Sequence, residues 1–308
     1  MRIDTISLNY TYKPKTPVAA CIGFFDGVHK GHQKLIQKTI ERAKELNCAS
    51  ALITFEPDPW VTIRHLPVDQ LEHLTTARQK NNLVIEQGIN NIYVLDFTPE
   101  MAALSPDDFL IRVLGQLNLK ALVCGYDFHY GAGGQGNAET LTSRLLIPVD
   151  IVDEVSFEGA KISSSRICEA VKQGDFYQAY QLLGHPFTMD GIVAHGAHKG
   201  TAMGVPTANI SYNLEYVLPK TGVYSAHVSV KGKMYGAMVN VGHNPTMNYK
   251  ESISVEAHLF NFHEDIYGER ISVIFEQYIR PEMQFSSVDN LIMQLERDKI
   301  QVRRILGL

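Results

Sequence analysis

Several absences narrow the class of this 308-residue chain before any motif is read. No apolar run approaches the roughly 18 residues of a bilayer-spanning helix, so no membrane partner is expected. No block of like charge occurs. The 28 basic and 33 acidic residues leave a net charge of −5, which argues against nucleic acid or an anionic membrane as partner. Cysteine is scarce, and Cys21, Cys48, Cys124 and Cys168 form no C-x-x-C pair, so a zinc site or disulfide framework has no support. Three of them sit in or beside apolar runs and read as reduced core thiols. The opening MRIDTISLNYTYKPK is polar and lacks the apolar core of a secretory signal; a cytoplasmic location is expected. Internal repeats, low-complexity tracts and a Walker A sequence are also missing.

What is present has two textures. From about residue 17 to 152, short apolar runs alternate with helical patterns. Val18–Phe24, Ala51–Phe55, Ile92–Phe97, Ala121–Gly125 and Ile147–Val152 read as buried strands, with helices over Gln33–Leu46, Thr76–Gln87 and Ser105–Leu117. That alternation predicts an α/β domain with a parallel sheet. A helix over Ser164–Leu183 ends at Gly184-His185-Pro186, a helix stop that suggests domains 1–184 and 185–308. Beyond it, Gly191–Ala194, Val223–Val230, Met234–Val241, Ile253–Phe260 and Ile271–Phe275 are short runs separated by Gly, Pro and Asn turns. They predict an antiparallel β-barrel, with a hairpin at Lys231-Gly232-Lys233. A final helix over Ser287–Leu306 is apolar at Val288, Leu291, Ile292, Leu295, Val302 and Ile305.

One string carries chemistry. Gly23-Phe24-Phe25-Asp26-Gly27-Val28-His29-Lys30-Gly31-His32 joins the first buried strand to the first helix, at the sheet edge where open α/β folds bind ligands. Glycines let a ligand approach the backbone, and a helix start offers free N–H groups and a positive dipole end to phosphate. Two imidazoles three residues apart can donate to a phosphoryl group as its charge grows. An isolated H-x-G-H would fit surface histidines equally well; the strand–loop–helix setting favours the phosphate reading.

These residues resemble the H-x-G-H signature of nucleotidyltransferases, and the ten-residue string is similar to the opening motif of the bacterial bifunctional riboflavin kinase/FMN adenylyltransferases. Thr54-Phe55-Glu56-Pro57, Gly125-Tyr126-Asp127-Phe128 with Gly131 to Asn137, and Ile162-Ser163-Ser164-Ser165-Arg166 continue the resemblance. So do Gly191-Ile192-Val193, Gly204-Val205-Pro206-Thr207-Ala208-Asn209, Leu218-Pro219, Gly222-Val223-Tyr224 and Val255-Glu256-Ala257-His258. The resemblance implies a Rossmann-like α/β nucleotidyltransferase domain and a riboflavin kinase-like antiparallel β-barrel with a C-terminal helix. It implies His29, His32 and Glu256 as catalytic residues. Gly23, Phe24, Asp26, Gly27, Gly31, Ser163, Ser164, Ser165, Arg166, Lys199 and Gly204 are the implied nucleotide-binding residues. Phe55, Asp127 and Phe128 would hold flavin, and Thr207 and Asn209 would hold Mg²⁺ on ATP. Riboflavin and FMN are the implied substrates beside ATP, with FMN and FAD as products. Taken alone, Glu256 on an alternating strand reads as a solvated face residue; the surrounding motif makes it the base.

A rival fingerprint, Gly131-Ala132-Gly133-Gly134-Gln135-Gly136, matches G-x-G-x-x-G but follows the fourth expected strand, not the first, which argues against a dinucleotide-binding site. The chain also departs from the family pattern. Asp58 and Trp60 stand where His and Arg are common. His129, Cys168, Lys199, Thr201 and Asn244 stand where Arg is common, Asn261 replaces a usual Asp, and Ser165 a usual Thr. Most of these changes weaken a cationic group. They leave open an FMN adenylyltransferase with an inactive kinase domain, or a non-catalytic flavin-nucleotide sensor, beside the bifunctional reading.

Overall fold

Short runs rich in Val, Ile and Leu, flanked by turn residues, become strands buried on both faces. The computed structural model describes residues 2–9, 12, 14–67, 70–195, 206–243 and 253–308. Its first half contains β1 (Arg2–Ile6), β2 (Val18–Ile22), β3 (Ala49–Glu56), β4 (Asn91–Asp96), β5 (Leu119–Gly125), β6 (His129–Tyr130), β7 (Gly136–Asn137), β8 (Val149–Val152), β9 (Ser156–Phe157) and β10 (Ala160–Lys161). The helices are α1 (Lys30–Glu45), α2 (Pro59–Arg64), α3 (Ala77–Glu86), α4 (Pro99–Ala102), α5 (Pro106–Arg112) and α6 (Ala138–Arg144). A six-stranded sheet runs β1-β4-β3-β2-β5-β8, with every pairing parallel. Strand β2 pairs with β3 on one side and β5 on the other, so the order reverses across it. That reversal places the loop after β2 at the topological switch point, where open α/β sheets hold ligands.

The expected strands and helices of this half are present, with ends shifted by a few residues. Helix α5 is capped by Ser105, which accepts from the Asp108 N–H at 3.1 Å, but it stops at Arg112 and continues as a 3-10 turn over Leu114–Gln116. Strand β1 was not anticipated. It is an edge strand with only Ile6 fully buried, and it pairs with β4 through the backbone.

In the second half, α7 (Ser164–Lys172) and α8 (Phe176–Leu183) precede β11 (Thr188–Ala194), β12 (Ala208–Tyr212), β13 (Gly222–Val230), β14 (Lys233–His243), β15 (Ile253–Leu259), β16 (Arg270–Arg280) and α9 (Val288–Leu306). The strands close into a barrel in the order β11-β12-β15-β14-β13-β16, and its pairings are antiparallel. The single helix expected over 164–183 is broken. Gly174 takes φ 70°, and Asp175 starts α8 by accepting from the Gln178 N–H at 2.9 Å. Such a left-handed turn favours glycine, and a carboxylate cap then satisfies the new helix start.

Two compact units emerge. One comprises Met1–Gln70 with Ala77–Ser163, the other Leu71–Thr76 with Ser164–Leu308. The expected boundary at 184/185 coincides with the end of α8, where Gly184 is a left-handed cap, while the units themselves divide at 163/164. Aromatic packing is the reason: Phe176 of α8 stacks on Phe275 at 5.0 Å and Phe187 at 5.9 Å, and meets Tyr224 edge-on. Segment 71–76 joins the same unit through His73, whose N–H donates to Glu215 O and whose carbonyl accepts from Val217 N.

The apolar stripe expected on α9 is only partly used. Val288, Ile292 and Ile305 are exposed, whereas Val302 packs with Val223, Met238 and Phe260. A polar clamp supplements it: Asp298, 1% exposed, takes hydrogen bonds from Arg280 Nε and Nη2 and from Gln294 Nε2. Removing one partner of such a pair strands the other charge. Asp298→Ala should therefore cost about 3 kcal/mol, read as a lowered urea midpoint of the barrel unit.

Candidate active sites

The loop after β2 is tightly folded. Phe25 is left-handed at φ 62°, Gly27 follows at φ 71°, and a 3-10 turn spans Asp26–Val28. His29 then caps α1: its Nδ1 accepts from the His32 N–H at 3.3 Å. That bond fixes the neutral tautomer, because an accepting Nδ1 leaves the proton on Nε2. Gly31 lets the His29 ring lie close, since a Cβ there would sit 3.1 Å from two of its atoms and push the ring aside by a few tenths of an ångström. The imidazoles of His29 and His32 stack with centroids 3.6 Å apart and planes 15° apart, and the Phe25 ring lies 4.8 Å from that of His32.

Burial controls the charge of the pair. His29 is 7% exposed, and desolvation lowers its pKa to about 4; the ammonium of Lys161 adds to the effect. His32 is lowered well below the ordinary histidine value, first by desolvation, then by His29 and Lys80. Its Nδ1 is buried without a hydrogen-bond partner, so a proton on Nε2 avoids stranding a buried N–H. At neutral pH the site therefore offers two uncharged N–H donors at a helix start, which suits developing phosphoryl charge.

Two lysines face this pair, and neither was singled out from sequence. Lys80, on α3, is 6% exposed; its Nζ donates to Phe24 O at 3.1 Å and to Thr54 Oγ1 at 3.0 Å, and lies 4.6 Å from the Phe24 ring centre. The available signal was helical phase, since Lys80 lies four residues before buried Val84 on the inward face of α3. Lys161, on β10, pairs with Asp127 and lies 5.0 Å from the Tyr126 ring centre.

The other expected residues of this half are dispersed in role. Asp26 is buried in the loop, and Gly23 donates to Ile53 O at 3.1 Å. Phe55 packs in the core edge-on to Phe97, whereas Phe128 is half-buried and stacks on Tyr130. Ser163 closes the first unit; Ser164, Ser165 and Arg166 open α7 in the second. Gly131–Gly136 lies between β6 and β7, not between a sheet strand and its helix. The altered positions have local partners. Asp58 caps α2 through the Trp60 N–H at 2.8 Å, and Trp60 lies beneath the Arg64 guanidinium at 4.3 Å. His129 Nδ1 is 2.9 Å from Asp127 O, Cys168 Sγ donates to Glu72 O at 3.3 Å, and Asn261 accepts from Arg303 at 3.2 Å.

In the barrel, Asn209 of β12 lies opposite Glu256 of β15, and the Thr207 hydroxyl donates to Glu256 Oε2 at 3.2 Å. Alternation along β15 buries Val255 and Ala257 and leaves Glu256 on the other face, half-buried. The three expected oxygen-bearing side chains are thus brought together. Lys199, Thr201, Gly204 and Asn244 lie outside the described residues.

Comparison with known proteins follows the same division. Residues 12–166 match the FAD synthetase family model, and residues 183–306 match the riboflavin kinase model. A bifunctional riboflavin kinase/FMN adenylyltransferase from Listeria monocytogenes is 37% identical over 92% of this chain and 90% of its own length. The chain belongs to this family. Its relative of the same name in Escherichia coli K12 is 33% identical over 97% of this chain and 96% of its own. A solved Streptococcus pneumoniae structure, described as a macrolide-efflux protein, is 31% identical with a TM-score of 0.88, covering 97% of this chain and 98% of its own. Among the described residues, no helix of this family member is long and apolar enough to cross a membrane.

The buried histidines give a pH signature. Below pH 6.5 the unfolded chain takes up a proton that native His29 refuses until about pH 4, so stability falls as pH drops through that window. The His29 contribution to that loss is about 3 kcal/mol, and His29→Asn should flatten it in denaturant titrations at stepped pH.

Proposed function

We propose that the two units carry successive steps of flavin-nucleotide synthesis, with the chemistry at His29/His32 and at Glu256. In the barrel, the riboflavin 5′-oxygen attacks the γ-phosphorus of ATP, Glu256 takes the hydroxyl proton, and FMN and ADP leave. Thr207 and Asn209 supply oxygen ligands that suit Mg²⁺, a hard ion that offsets phosphate charge when bound. The hydrogen bond from Thr207 also holds the Glu256 carboxylate in place.

In the α/β unit, an FMN phosphate oxygen attacks the α-phosphorus of a second ATP, and pyrophosphate leaves as FAD forms. His29 and His32 donate from Nε2 to the phosphoryl oxygens, with no covalent enzyme intermediate. The stacked, neutral pair at the switch point is the observation that carries this assignment. Ser163, Ser164, Ser165 and Arg166 are assigned to the nucleotide as well, and Asp127 and Phe128 to the flavin. A helix start and serine hydroxyls suit phosphate, and a half-buried aromatic face suits a planar ring. The four cysteines are free, in keeping with a cytoplasmic setting.

The decisive assay supplies flavin-stripped protein and Mg-ATP with riboflavin in one tube and FMN in another. FMN and FAD from riboflavin support both steps; FAD from FMN alone would leave the barrel without its kinase role. His32→Ala should lower FAD formation by about 10²–10³-fold while sparing FMN formation. Glu256→Gln should do the reverse, lowering FMN formation by about 10²-fold or more. Parallel loss of both activities in either folded variant would contradict separate sites.

A further inference from the structure

The strongest unabsorbed feature is the buried ammonium of Lys80. A lysine in an apolar interior is costly unless its charge is satisfied. Here the satisfying groups belong to the phosphate loop itself. Nζ donates to the Phe24 carbonyl and to Thr54 Oγ1, and the Thr54 hydroxyl donates in turn to the same Phe24 carbonyl at 3.0 Å. The carboxylates of Asp26, Glu56 and Asp58 add attraction, from the loop, from β3 and from the segment that follows it.

We propose that Lys80 is a positioning residue of the adenylyl-transfer site: its ammonium pins Phe24, and through Phe24 sets the loop that carries His29 and His32. The linkage is continuous. Gly23 N–H is tied to Ile53 O at 3.1 Å, Val28 N–H to Phe25 O at 3.2 Å, and the Gln33 side chain to Val28 O at 2.9 Å. Phe25, in its left-handed turn directly after the pinned carbonyl, packs on His32. Release of Phe24 frees the turn and the ring behind the catalytic pair. The ammonium also places fixed positive charge behind His32, which opposes protonation of that imidazole. Desolvation lowers the Lys80 pKa to about 8, with Asp26, Glu56 and Asp58 acting against that shift, so the pin weakens as pH rises through that value.

This assignment rests on FAD formation occurring at the His29/His32 loop, and the test separates the two. Steady-state FAD and FMN formation are measured in the full chain for Lys80→Met, Lys80→Arg, Thr54→Val and His32→Ala, with thermal midpoints recorded. Lys80→Met should lower kcat/KM for ATP in FAD formation by about 10²-fold, chiefly in kcat, while FMN formation stays within twofold of wild type. Thr54→Val, which keeps the ammonium and removes one acceptor, should lose about tenfold. In the wild type, FAD formation should decline above about pH 8; Lys80→Arg, permanently charged, should retain measurable activity without that decline. Histidine-resolved NMR should show the His32 pKa rising in Lys80→Met. Unchanged FAD formation in folded Lys80→Met and Thr54→Val, with His32→Ala inactive, would overturn the role of Lys80 alone. Equal loss of FAD and FMN formation would overturn it too, as a general folding defect. Full FAD formation by His32→Ala would instead overturn the site.

Discussion

Strand β2 is hydrogen-bonded along both edges and has no residue exposed on either face. It therefore has no side chain free for chemistry, and the chain can place reactive groups only where it leaves the sheet. Its neighbours connect in opposite directions, so the loop after β2 opens into the gap between them. The same burial that builds the sheet dries the first turn of α1. Two histidines that would be partly charged in water become neutral donors there, and a lysine becomes a structural pin. Sheet topology, imidazole charge and loop geometry are consequences of one fully enclosed strand.

Much of this was legible because the responsible residues are contiguous. The Gly23–His32 string contains the turn glycines, the helix cap and both histidines, and its reading needed only a strand before it and a helix after it. Barrel strands were legible from short alternating runs, and Glu256 only through its surrounding motif. Lys80 was hidden for a physical reason: it comes from a helix far along the chain, and charge on an inward helical face reads as noise until its acceptors are known. Strand β1 escaped because an edge strand is stabilised by backbone pairing, which leaves little hydrophobic pattern. The α9 stripe misled in the opposite sense. Its apolar residues are present, but Arg280 and Asp298 contribute to docking while several of them face outward.

Loss of arginines expected from the family pattern suggested a weakened phosphate site. The first unit nevertheless holds three cations close to the residues discussed above. Arg64 lies over Trp60, Lys161 faces His29 from a short hairpin, and Lys80 lies buried by His32. Lysine is a point charge that can be buried and tuned, whereas guanidinium recognises phosphate by a planar fork.

Segment 71–76 belongs by chain order to the first half and by packing to the second. Leu71 and Leu74 are buried, His73 bridges to Tyr216, and Glu72 receives both the Cys168 thiol and the Lys172 ammonium. A cut between the two halves in sequence therefore does not coincide with the cut between the two units. A fragment starting at Ser164, or at the Gly184 helix stop, would retain every barrel strand yet lack six residues that complete its packing. The chain thus enters the second unit at 71–76, returns to the first, and re-enters the second at Ser164, so the two units alternate along the sequence.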